Sequence, residues 1–372
     1  MGKYDYLIVG SGLTGAVIAY RLKQQNKTCL VIDKRNHIGG NLYCEDVNGI
    51  TVHKYGPHIF HTSDKQVWDF INQFVSFNNF IYSPLARTHG KFYNLPFNMN
   101  TFSQVWGNYQ PKQIQNTINE QSSKIKIPTN LEEQAIKNVG KDIYKLFIKD
   151  YTEKQWGKSC KELSPDIINR IPIRYTYNNN YFNDIYQGIP IEGYNILISK
   201  LFEGCEIKIN CNYFDDREYY NSICDKIIYT GKVDEYFNYC FGELEYRSLK
   251  FLNVLLKEYN YQGTAVINYT DNSVEFTRSI EHKHFTCLTN DELYKDKNTI
   301  ITYEYPYEYK KETAEIFPEF YPINSVRNIS IYRKYQKLVQ EERTTLFVGR
   351  LAEYKYYDMD DIIKRALTIE LI

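Results

Sequence analysis

Residues 4–33 read YDYLIVGSGLTGAVIAYRLKQQNKTCLVID, and most of what the sequence predicts about the architecture follows from them. This segment opens with a short apolar run of the kind that a buried parallel strand shows. Gly10-Ser-Gly12-Leu-Thr-Gly15 follows, and then come a segment with helical spacing and a second apolar run that ends at Asp33. This order of strand, GxGxxG, helix, strand and acid predicts a dinucleotide-binding βαβ unit.

Each residue of this motif has a physical task. Gly10 permits a tight turn, Gly12 lets the backbone approach a pyrophosphate, and Gly15 lets the helix pack close to the strand. The pyrophosphate then lies at the helix N-terminus, where free N–H groups and the helix dipole favour an anion. Asp33 can accept hydrogen bonds from a ribose, and the alternative for it is an exposed acid at the end of a strand.

A second glycine-rich sequence, DKRNHIGGN at residues 33–41, favours FAD over NAD as the cofactor. Its Gly-Gly pair gives the backbone another close approach shortly after the ribose acid. This pattern is typical of FAD proteins of the glutathione-reductase and amine-oxidase type, and NAD dehydrogenases usually lack it. We therefore expect the nucleotide to be FAD.

The rest of the chain predicts a nucleotide domain that is interrupted by insertions. KIIYTG at 226–231 and TLFVGR at 345–350 look like further buried strands, and Asp358 is a candidate N-cap for a final helix. We expect an FAD-binding domain made of residues 1–80, 186–245 and 325–372.

The insertions predict two further domains. Residues 98–157 are expected to be helical, with a capping box formed by Asn130 and Glu133. One apolar helix face is predicted to contain Ile136, Val139, Ile143, Phe147 and Tyr151. Residues 80–98 and 245–310 alternate as strands do, and we expect an antiparallel sheet domain made of residues 81–97, 158–185 and 246–324.

Charge and composition exclude several classes of protein. Lys+Arg and Asp+Glu are both 45, so the basic excess of a nucleic-acid binder is missing. No apolar run approaches the roughly 18 residues of a membrane span, and the N-terminus does not read as a signal peptide. The eight cysteines show no metal-binding spacing, and we expect reduced thiols in a cytoplasmic protein.

The candidates for chemistry are histidines, arginines and rings. His58 and His61 in GPHIFHT could suggest a metal, but no third ligand stands at useful spacing, so a turn histidine that faces a cofactor ring is favoured and no metal is expected. Arginine forks suit phosphate oxygens, although each could be a surface charge. The candidates are Arg170, Arg174, Arg247, Arg278 and Arg350. Residues 146–159, LFIKDYTEKQWGKS, add large rings, so the pattern predicts a flavoprotein with an anionic, ring-bearing substrate.

At YTEKQWG, residues 151–157, the chain closely resembles the bacterial UDP-galactopyranose mutase family, and the resemblance runs nearly end to end. It also includes IVGSGLTGAV, DKRNHIGGN, HKYGPHIFHT, NLPFNMNTF, RIPIRYTYNNNYF, YQGIP, EYRSLKF, FTRSIEHKHF, FYPIN and GRLAEYKYYDMD. The resemblance implies an α/β fold, with an FAD-binding Rossmann-like domain, an inserted helical bundle and an antiparallel β-sheet domain, usually as a homodimer.

The activity that the resemblance implies is the redox-neutral isomerisation of UDP-galactopyranose to UDP-galactofuranose. Reduced FAD attacks the anomeric carbon through N5 as UDP leaves, and NAD(P)H or another reductant supplies the electrons. The product supplies galactofuranose for cell-wall or lipopolysaccharide biosynthesis. The sequence leaves open whether the sugar is galactose or N-acetylgalactosamine. A flavin oxidase of the amine-oxidase type and a non-catalytic nucleotide-sugar-binding protein are the other hypotheses.

The resemblance also implies residue roles. Tyr151 matches a ring that stacks on uracil, Trp156 lies on a mobile loop, Arg170 swings toward the diphosphate and Arg278 steadies it. His58, Arg170 and Arg278 are the catalytic positions. The cofactor-binding positions are Gly10, Gly12, Thr14, Gly15, Asp33, Lys34, Gly40, Asn41, His58, Ile59, Arg350, Tyr357, Asp358, Met359 and Asp360. The substrate-binding positions are Phe147, Tyr151, Trp156, Arg170, Tyr181, Arg247, Asn268, Arg278, Tyr321 and Tyr356. Tyr82 departs from the family, since an Asn that contacts the nucleotide is expected there.

Overall fold

The computed structural model describes residues 3–107, 109–286, 289–293, 295–313 and 316–372. The strands are β1 Tyr4–Val9, β2 Cys29–Ile32, β3 Cys44–Val47, β4 Ile50–His53, β5 Phe60–Thr62, β6 Leu85–Thr88, β7 Lys91–Asn94, β8 Tyr186–Gly188, β9 Glu206–Lys208, β10 Cys224–Tyr229, β11 Tyr246–Leu256, β12 Val266–Tyr269, β13 Arg278–Glu281, β14 Thr299–Glu308, β15 Tyr321–Pro322 and β16 Thr345–Phe347.

The α-helices are α1 Leu13–Gln24, α2 Lys65–Ile71, α3 Met99–Trp106, α4 Pro111–Ser122, α5 Leu131–Val139, α6 Lys141–Ile143, α7 Lys149–Trp156, α8 Tyr194–Leu201, α9 Arg217–Ser222, α10 Val233–Tyr236, α11 Asn290–Leu293, α12 Val326–Glu341 and α13 Met359–Thr368. A π-helical turn spans Tyr144–Ile148. Short 3₁₀ helices span Gly40–Leu42, Pro165–Arg170, Tyr213–Asp215, His282–Thr286 and Lys311–Thr313.

The chain forms two compact units, and each is built from separate stretches of sequence. The first unit comprises Met1–Asn79, Asp184–Tyr246 and Tyr321–Ile372, and the second comprises Phe80–Asn183 and Arg247–Phe320. Helices α3 to α7 and strands β12 to β14 therefore belong to the same unit. The predicted subdivision into a helical domain and a sheet domain stays a prediction.

The first unit contains a five-stranded parallel sheet in the order β16-β10-β1-β2-β9. Its central strands are apolar because both faces are covered, and Leu7, Ile8, Leu30 and Val31 are fully buried. The strands predicted at 226–231 and 345–350 are confirmed as β10 and β16. Since parallel strands end at one edge of a sheet, the GxGxxG loop and Asp33 follow neighbouring strands there.

The second unit contains strands in the order β11-β14-β13-β12-β6-β7. These pairs are antiparallel, as predicted, except that β12 runs parallel to β6. The helices of this unit enclose an apolar core around Phe102, Ile114, Leu131 and Ile143. The helices and strands of this unit therefore agree with those predicted from the amphipathic pattern and from the strand alternation.

The predicted continuous helix face around residues 136–151 is wrong in one respect. Helix α5 ends at Val139, because Gly140 adopts φ +84° and ψ 163° and so leaves the helical region. The chain then passes through α6 and the π-helical turn before α7 begins. A π turn contains one extra residue, so it changes which side chains share a face.

The predicted capping box at the start of α5 is shifted by one residue. Asn130 caps the helix as expected, since its side chain accepts from the Glu133 backbone N–H at 3.0 Å. The Glu133 carboxylate, however, accepts from Thr129 N at 2.8 Å and Thr129 Oγ1 at 2.9 Å. These bonds from Thr129 lower the pKa of Glu133. The Glu133 carboxylate therefore bonds to Thr129, the residue before the N-cap Asn130.

The cysteines that the structure describes are all free thiols, and Cys287 lies outside the described residues. None of the helices in the described part of the chain is both long and apolar enough to cross a membrane.

Candidate functional site

The GxGxxG loop has the geometry that a dinucleotide needs. Gly10 adopts φ +106°, and a Cβ there would lie 2.0 Å from Thr230 Oγ1. A Cβ at Gly15 would lie 2.2 Å from the Gly10 carbonyl oxygen, so the helix packs too closely for a side chain. In α1, which the structure describes in full, Gly12 is the N-cap and the first turn carries no acidic side chain. Its N–H groups are therefore suited to a phosphate.

The second glycine-rich sequence lies directly against this loop. A Cβ at Gly40 would lie 3.0 Å from the Gly12 Cα, and Gly39 N donates to the Ser11 carbonyl at 2.9 Å. A third glycine approaches from β16, because a Cβ at Gly349 would lie 2.9 Å from Thr14 Oγ1. The cradle is thus shaped by backbone, and these residues fit the pyrophosphate of FAD.

Asp33 is buried, so the alternative of an exposed acid is wrong. Its Oδ2 accepts from Ser11 N at 2.7 Å and Ser11 Oγ at 2.6 Å, and its Oδ1 accepts from Arg35 N at 2.9 Å. Arg35 in turn donates to Asn41 Oδ1 from both Nη atoms, each at 3.1 Å. Asp33 therefore fixes the glycine loop, and its contact with a ribose stays a prediction.

The two histidines of GPHIFHT have separate partners. His58 Nδ1 donates to the Gly56 carbonyl at 2.8 Å. His61 Nδ1 lies 2.7 Å from Asp184 Oδ2. Among the described residues, no three His, Cys, Asp or Glu side chains are grouped to hold a metal ion. His58 precedes the buried Ile59, and its role as a turn histidine that faces a cofactor ring stays a prediction.

Three predicted residues meet at the end of the first unit's sheet. The rings of Tyr321 and Tyr356 stack with centroids 5.0 Å apart, and the Arg350 guanidinium lies 5.3 Å from the Tyr356 centroid and 5.9 Å from that of Tyr321. Arg350 Nη2 donates to the Tyr357 carbonyl at 2.6 Å. This bond fixes a cation beside two ring faces.

Helix α13 begins beside this cluster, and Asp358 is its N-cap as predicted. Burial raises the pKa of Tyr357 to about 12. Burial also raises the pKa of Asp360, although a hydrogen bond from Thr62 opposes the shift. The N-terminus of α13 carries Asp358, Met359 and Asp360, and their contacts with a flavin stay a prediction.

The second unit holds a compact group of rings around one arginine. Arg278 donates two hydrogen bonds to the fully buried Glu304, from Nε to Oε1 at 3.0 Å and from Nη2 to Oε2 at 2.5 Å. Burial raises the pKa of Tyr82 and of Tyr151, and the positive charge of Arg278 opposes both shifts. Tyr82 lies edge-on to Tyr181, with centroids 5.3 Å apart. A bidentate pair of this kind fixes the plane of the guanidinium.

Other predicted residues join this group. Tyr151 Oη donates to Asn268 Oδ1 at 3.5 Å, and Asn268 is the register partner of Arg278 on the neighbouring strand. The structure thus brings together Tyr151, Tyr181, Asn268 and Arg278. It adds Tyr82, the departure from the family, and Glu304, which sequence reasoning missed. The alternation of Glu with Tyr in TYEYPYE, 302–308, was the available signal for a buried acid.

Comparison with known proteins decides the family. A family model described as UDP-galactopyranose mutase matches residues 146–356. A protein named "dTDP-fucopyranose mutase" from Escherichia coli is 36% identical over 97% of this chain and 96% of its own length. A "Probable UDP-galactopyranose mutase" from Klebsiella pneumoniae is 36% identical over 99% of this chain and 94% of its own.

The chain belongs to the UDP-galactopyranose mutase family.

Further matches agree with membership of the UDP-galactopyranose mutase family. A model described as an NAD(P)-binding Rossmann-like domain covers residues 8–74. The structure titled "Crystal structure of reduced UDP-Galactopyranose mutase" superposes with a TM-score of 0.75 at 14% identity, covering 98% of this chain and 94% of that one. That match shows a shared fold. The family resemblance and the Rossmann-like fold with an antiparallel sheet are confirmed.

Two aromatic residues of this mutase-family chain are placed differently from the expectation. Phe147 is only 3% exposed and packs against Tyr93 and Phe97 in the helical core, with centroids 5.0 and 5.9 Å away. Trp156 is the last residue of α7 and packs against the same core, so its placement on a loop is wrong. The helix ends at Gly157, whose φ of +63° permits the turn that a following loop needs.

The remaining arginines also have defined positions in the family member. Arg247 Nε donates to the Gln155 carbonyl at 3.0 Å, where a cation complements the C-terminal end of α7. Arg174 donates from Nη2 to the Phe182 carbonyl at 2.9 Å and so holds the loop that carries Tyr181. Arg170 ends a 3₁₀ helix, and its side chain lies outside the described residues.

Proposed function

We propose that this chain is an FAD-dependent mutase that interconverts the pyranose and furanose forms of UDP-linked galactose. The observation that carries the proposal is the group of Tyr82, Tyr151, Tyr181 and Asn268 around Arg278 in a chain of the mutase family. A fixed guanidinium suits diphosphate oxygens, and a half-buried ring beside it suits a pyrimidine.

The residues of the first unit fit FAD. Gly10, Gly12 and Gly15 would hold the pyrophosphate on α1, and Asp33 would accept from the ribose. On the flavin side the proposal assigns His58 and Arg350. The other cofactor positions are Thr14, Lys34, Gly40, Asn41, Ile59, Tyr357, Asp358, Met359 and Asp360. When bound and reduced, FAD supplies the nucleophile for the anomeric carbon.

The protein's own residues bind the substrate and stabilise the leaving group. Glu304 and a hydrogen bond to Tyr82 hold Arg278 in place, and its guanidinium would face the diphosphate as a fixed cation. Burial keeps the hydroxyl of Tyr82 protonated, so it can donate as well. Fixed donors of this kind stabilise the charge that develops on UDP as the sugar bond breaks.

A second sugar nucleotide is also a candidate substrate. The relatives named "dTDP-fucopyranose mutase" and "Probable UDP-galactopyranose mutase" are both 36% identical to this chain. The nucleotide dTDP differs from UDP by the methyl group of thymine and by the missing 2′-hydroxyl of its ribose, and fucose differs from galactose by one hydroxyl. One methyl or one hydroxyl in a pocket changes specificity only modestly unless the site hydrogen-bonds that group. Three substrates therefore need a direct comparison: UDP-galactose, UDP-N-acetylgalactosamine and dTDP-fucose.

The test uses the purified FAD-loaded protein under anaerobic conditions. It is reduced with dithionite, given the furanose form of each of the three sugar nucleotides, and the products are separated by HPLC. We expect UDP-galactopyranose to form from UDP-galactofuranose with reduced enzyme, and oxidised enzyme to be the inactive control. Faster conversion of dTDP-fucofuranose would reassign the substrate. Binding without conversion of any of them would overturn the mutase and favour a binding protein.

The flavin-oxidase alternative predicts a different result, namely stoichiometric reduction of FAD by substrate. A mutase consumes no reductant per turnover, so anaerobic absorbance of the oxidised flavin should not bleach when UDP-galactose is added. The homodimer and the reductant stay predictions of the resemblance, and the cytoplasmic location stays a prediction from the cysteine pattern.

A further inference from the structure

We propose that Lys154 is a positioning residue for nucleotide binding, because it fixes helix α7 against the β12–β13 hairpin. Helix α7 carries Tyr151, and the hairpin carries Asn268 and Arg278. The inference rests on the proposed function, since it concerns how that site keeps its shape. Lys154 itself does not touch the reacting atoms.

The geometry around Lys154 is that of a cation held by backbone oxygens. Its Nζ lies 2.6 Å from the Asp271 carbonyl and 2.9 Å from that of Tyr269. The carbonyls of Val274 and Phe276 follow at 3.3 and 3.4 Å. An ammonium has three N–H groups, so it spans all four oxygens by sharing at least one donor. Burial lowers the pKa of Lys154, which the charge of Asp271 opposes.

These four carbonyls belong to residues 269–276, which comprise the last residue of β12 and most of the turn that joins it to β13. Asn268 directly precedes these residues, and Arg278 follows them by two residues. The two are register partners across the hairpin. Any displacement of the turn therefore moves both substrate positions together.

Tyr151 lies on α7, the helix that Lys154 connects to the turn. It precedes Lys154 by three residues, so the two side chains share a face of α7. Its hydroxyl reaches Asn268 Oδ1 at 3.5 Å, which is the outer limit of a hydrogen bond. A shift of a few tenths of an ångström between helix and hairpin would break this bond and change the spacing between Tyr151 and Arg278.

A second contact anchors the same hairpin to the preceding π-helical turn. Thr270 Oγ1 donates to the Leu146 carbonyl at 3.0 Å. The turn is also braced internally, because Asp271 Oδ1 accepts from Ser273 N at 2.8 Å. Since the turn keeps these supports without Lys154, replacing the lysine should loosen its docking on α7 while the fold persists.

The test compares K154M, Y151A and the double variant, all as FAD-loaded proteins. Lys149 is on the same helix but exposed, so K149M is the matched control. Affinity for UDP is measured by calorimetry and stability by thermal unfolding. We expect K154M to weaken UDP binding by about tenfold, with normal flavin content, and K149M to stay within about twofold of wild type.

The double variant separates positioning from general stability. If Lys154 acts through Tyr151, then K154M should cost UDP affinity less than about threefold in the Y151A background. The charge-retaining K154R should recover part of the affinity, and K154Q replaces K154M if the latter fails to fold. Unchanged UDP affinity in the folded variant, or losses that simply multiply, would overturn the inference. Wild-type protein that binds neither UDP nor dTDP would instead overturn the proposed function, and this inference with it.

Discussion

At the scale of single residues, the pair of Arg278 and Glu304 determines how the site can be tested. Glu304 is fully buried, so Arg278→Ala would leave a buried carboxylate without its cation and confuse lost activity with lost stability. Arg278→Lys keeps the positive charge but loses the bidentate pair of hydrogen bonds to Glu304. We expect R278K to fold, to retain FAD and to lose at least about tenfold in kcat/KM.

The measurement for R278K is anaerobic turnover of UDP-galactofuranose together with flavin content. The exposed Arg343 of the first unit provides the control, because Arg343→Lys makes the same chemical change at a residue with no predicted role. Wild-type kcat/KM in R278K would remove Arg278 from the diphosphate role.

The residues that could be predicted from the sequence are those that act within their own short segment of chain. Gly10 and Gly15 follow from the backbone of their own loop, and a short motif reveals them. Glu304 lies 26 residues from its arginine, and Lys154 lies 115 residues from the Tyr269 carbonyl. A single sequence does not reveal such pairs, because only the folded strands bring them together.

At the scale of elements, Gly140 provides a test of the break between α5 and α6. It adopts φ +84° and ψ 163°, and a Cβ there would lie 2.8 Å from Gln121 Oε1. That oxygen accepts from Asp142 N at 3.0 Å. Gly193 has nearly the same dihedral angles, φ +85° and ψ 160°, also at an N-cap, and no described heavy atom lies within 4 Å of its built Cβ. The two glycines therefore differ in crowding and not in backbone strain.

We expect both G140A and G193A to be destabilised, each by about 1–3 kcal/mol from the backbone conformation alone. G140A should lose more, because the new methyl group displaces Gln121 and its bond to Asp142. Urea unfolding of both variants measures the difference. An equal loss of unfolding free energy in G140A and G193A would show that the contact with Gln121 does not stabilise the break between α5 and α6.

The helix prediction itself shows what periodicity can and cannot specify. Apolar spacing predicted helical structure around Val139 and Ile143, and both are buried. It did not predict the π turn at Tyr144–Ile148, because an extra residue in a turn depends on partners outside the helix. The bond from Thr270 to Leu146 is one such partner.

At the scale of the whole molecule, the parallel sheet was the most predictable part. Each of its main strands is a short apolar run followed by a glycine or an acid, and the βαβ order limits how they can be arranged. The pairing of β6 with β12 was not predictable, since Ala86 and Asn268 come from distant parts of the chain. Insertions bring such strands together only when the units fold.

The stability of the fold should depend on pH through His282. This ring is buried in the second unit, and its Nε2 lies 2.7 Å from Thr302 Oγ1. Burial lowers the pKa of His282 to about 3, and the nearby Glu281 opposes the shift. In the unfolded chain a histidine has a pKa of about 6.5. Between these values the unfolded state binds a proton that the folded state excludes, so stability must fall as the pH drops below about 6.5.

The expected size follows from the same linkage. From pH 7 to pH 5, His282 should remove about 2 kcal/mol of unfolding free energy. His282→Gln cannot bind this proton, so H282Q should lose that much less than wild type over the same interval. Urea unfolding at the two pH values measures it, with H89Q at an exposed histidine as the control. Equal pH dependence in wild type and H282Q would mean that the folded ring accepts its proton near neutral pH, because water reaches it.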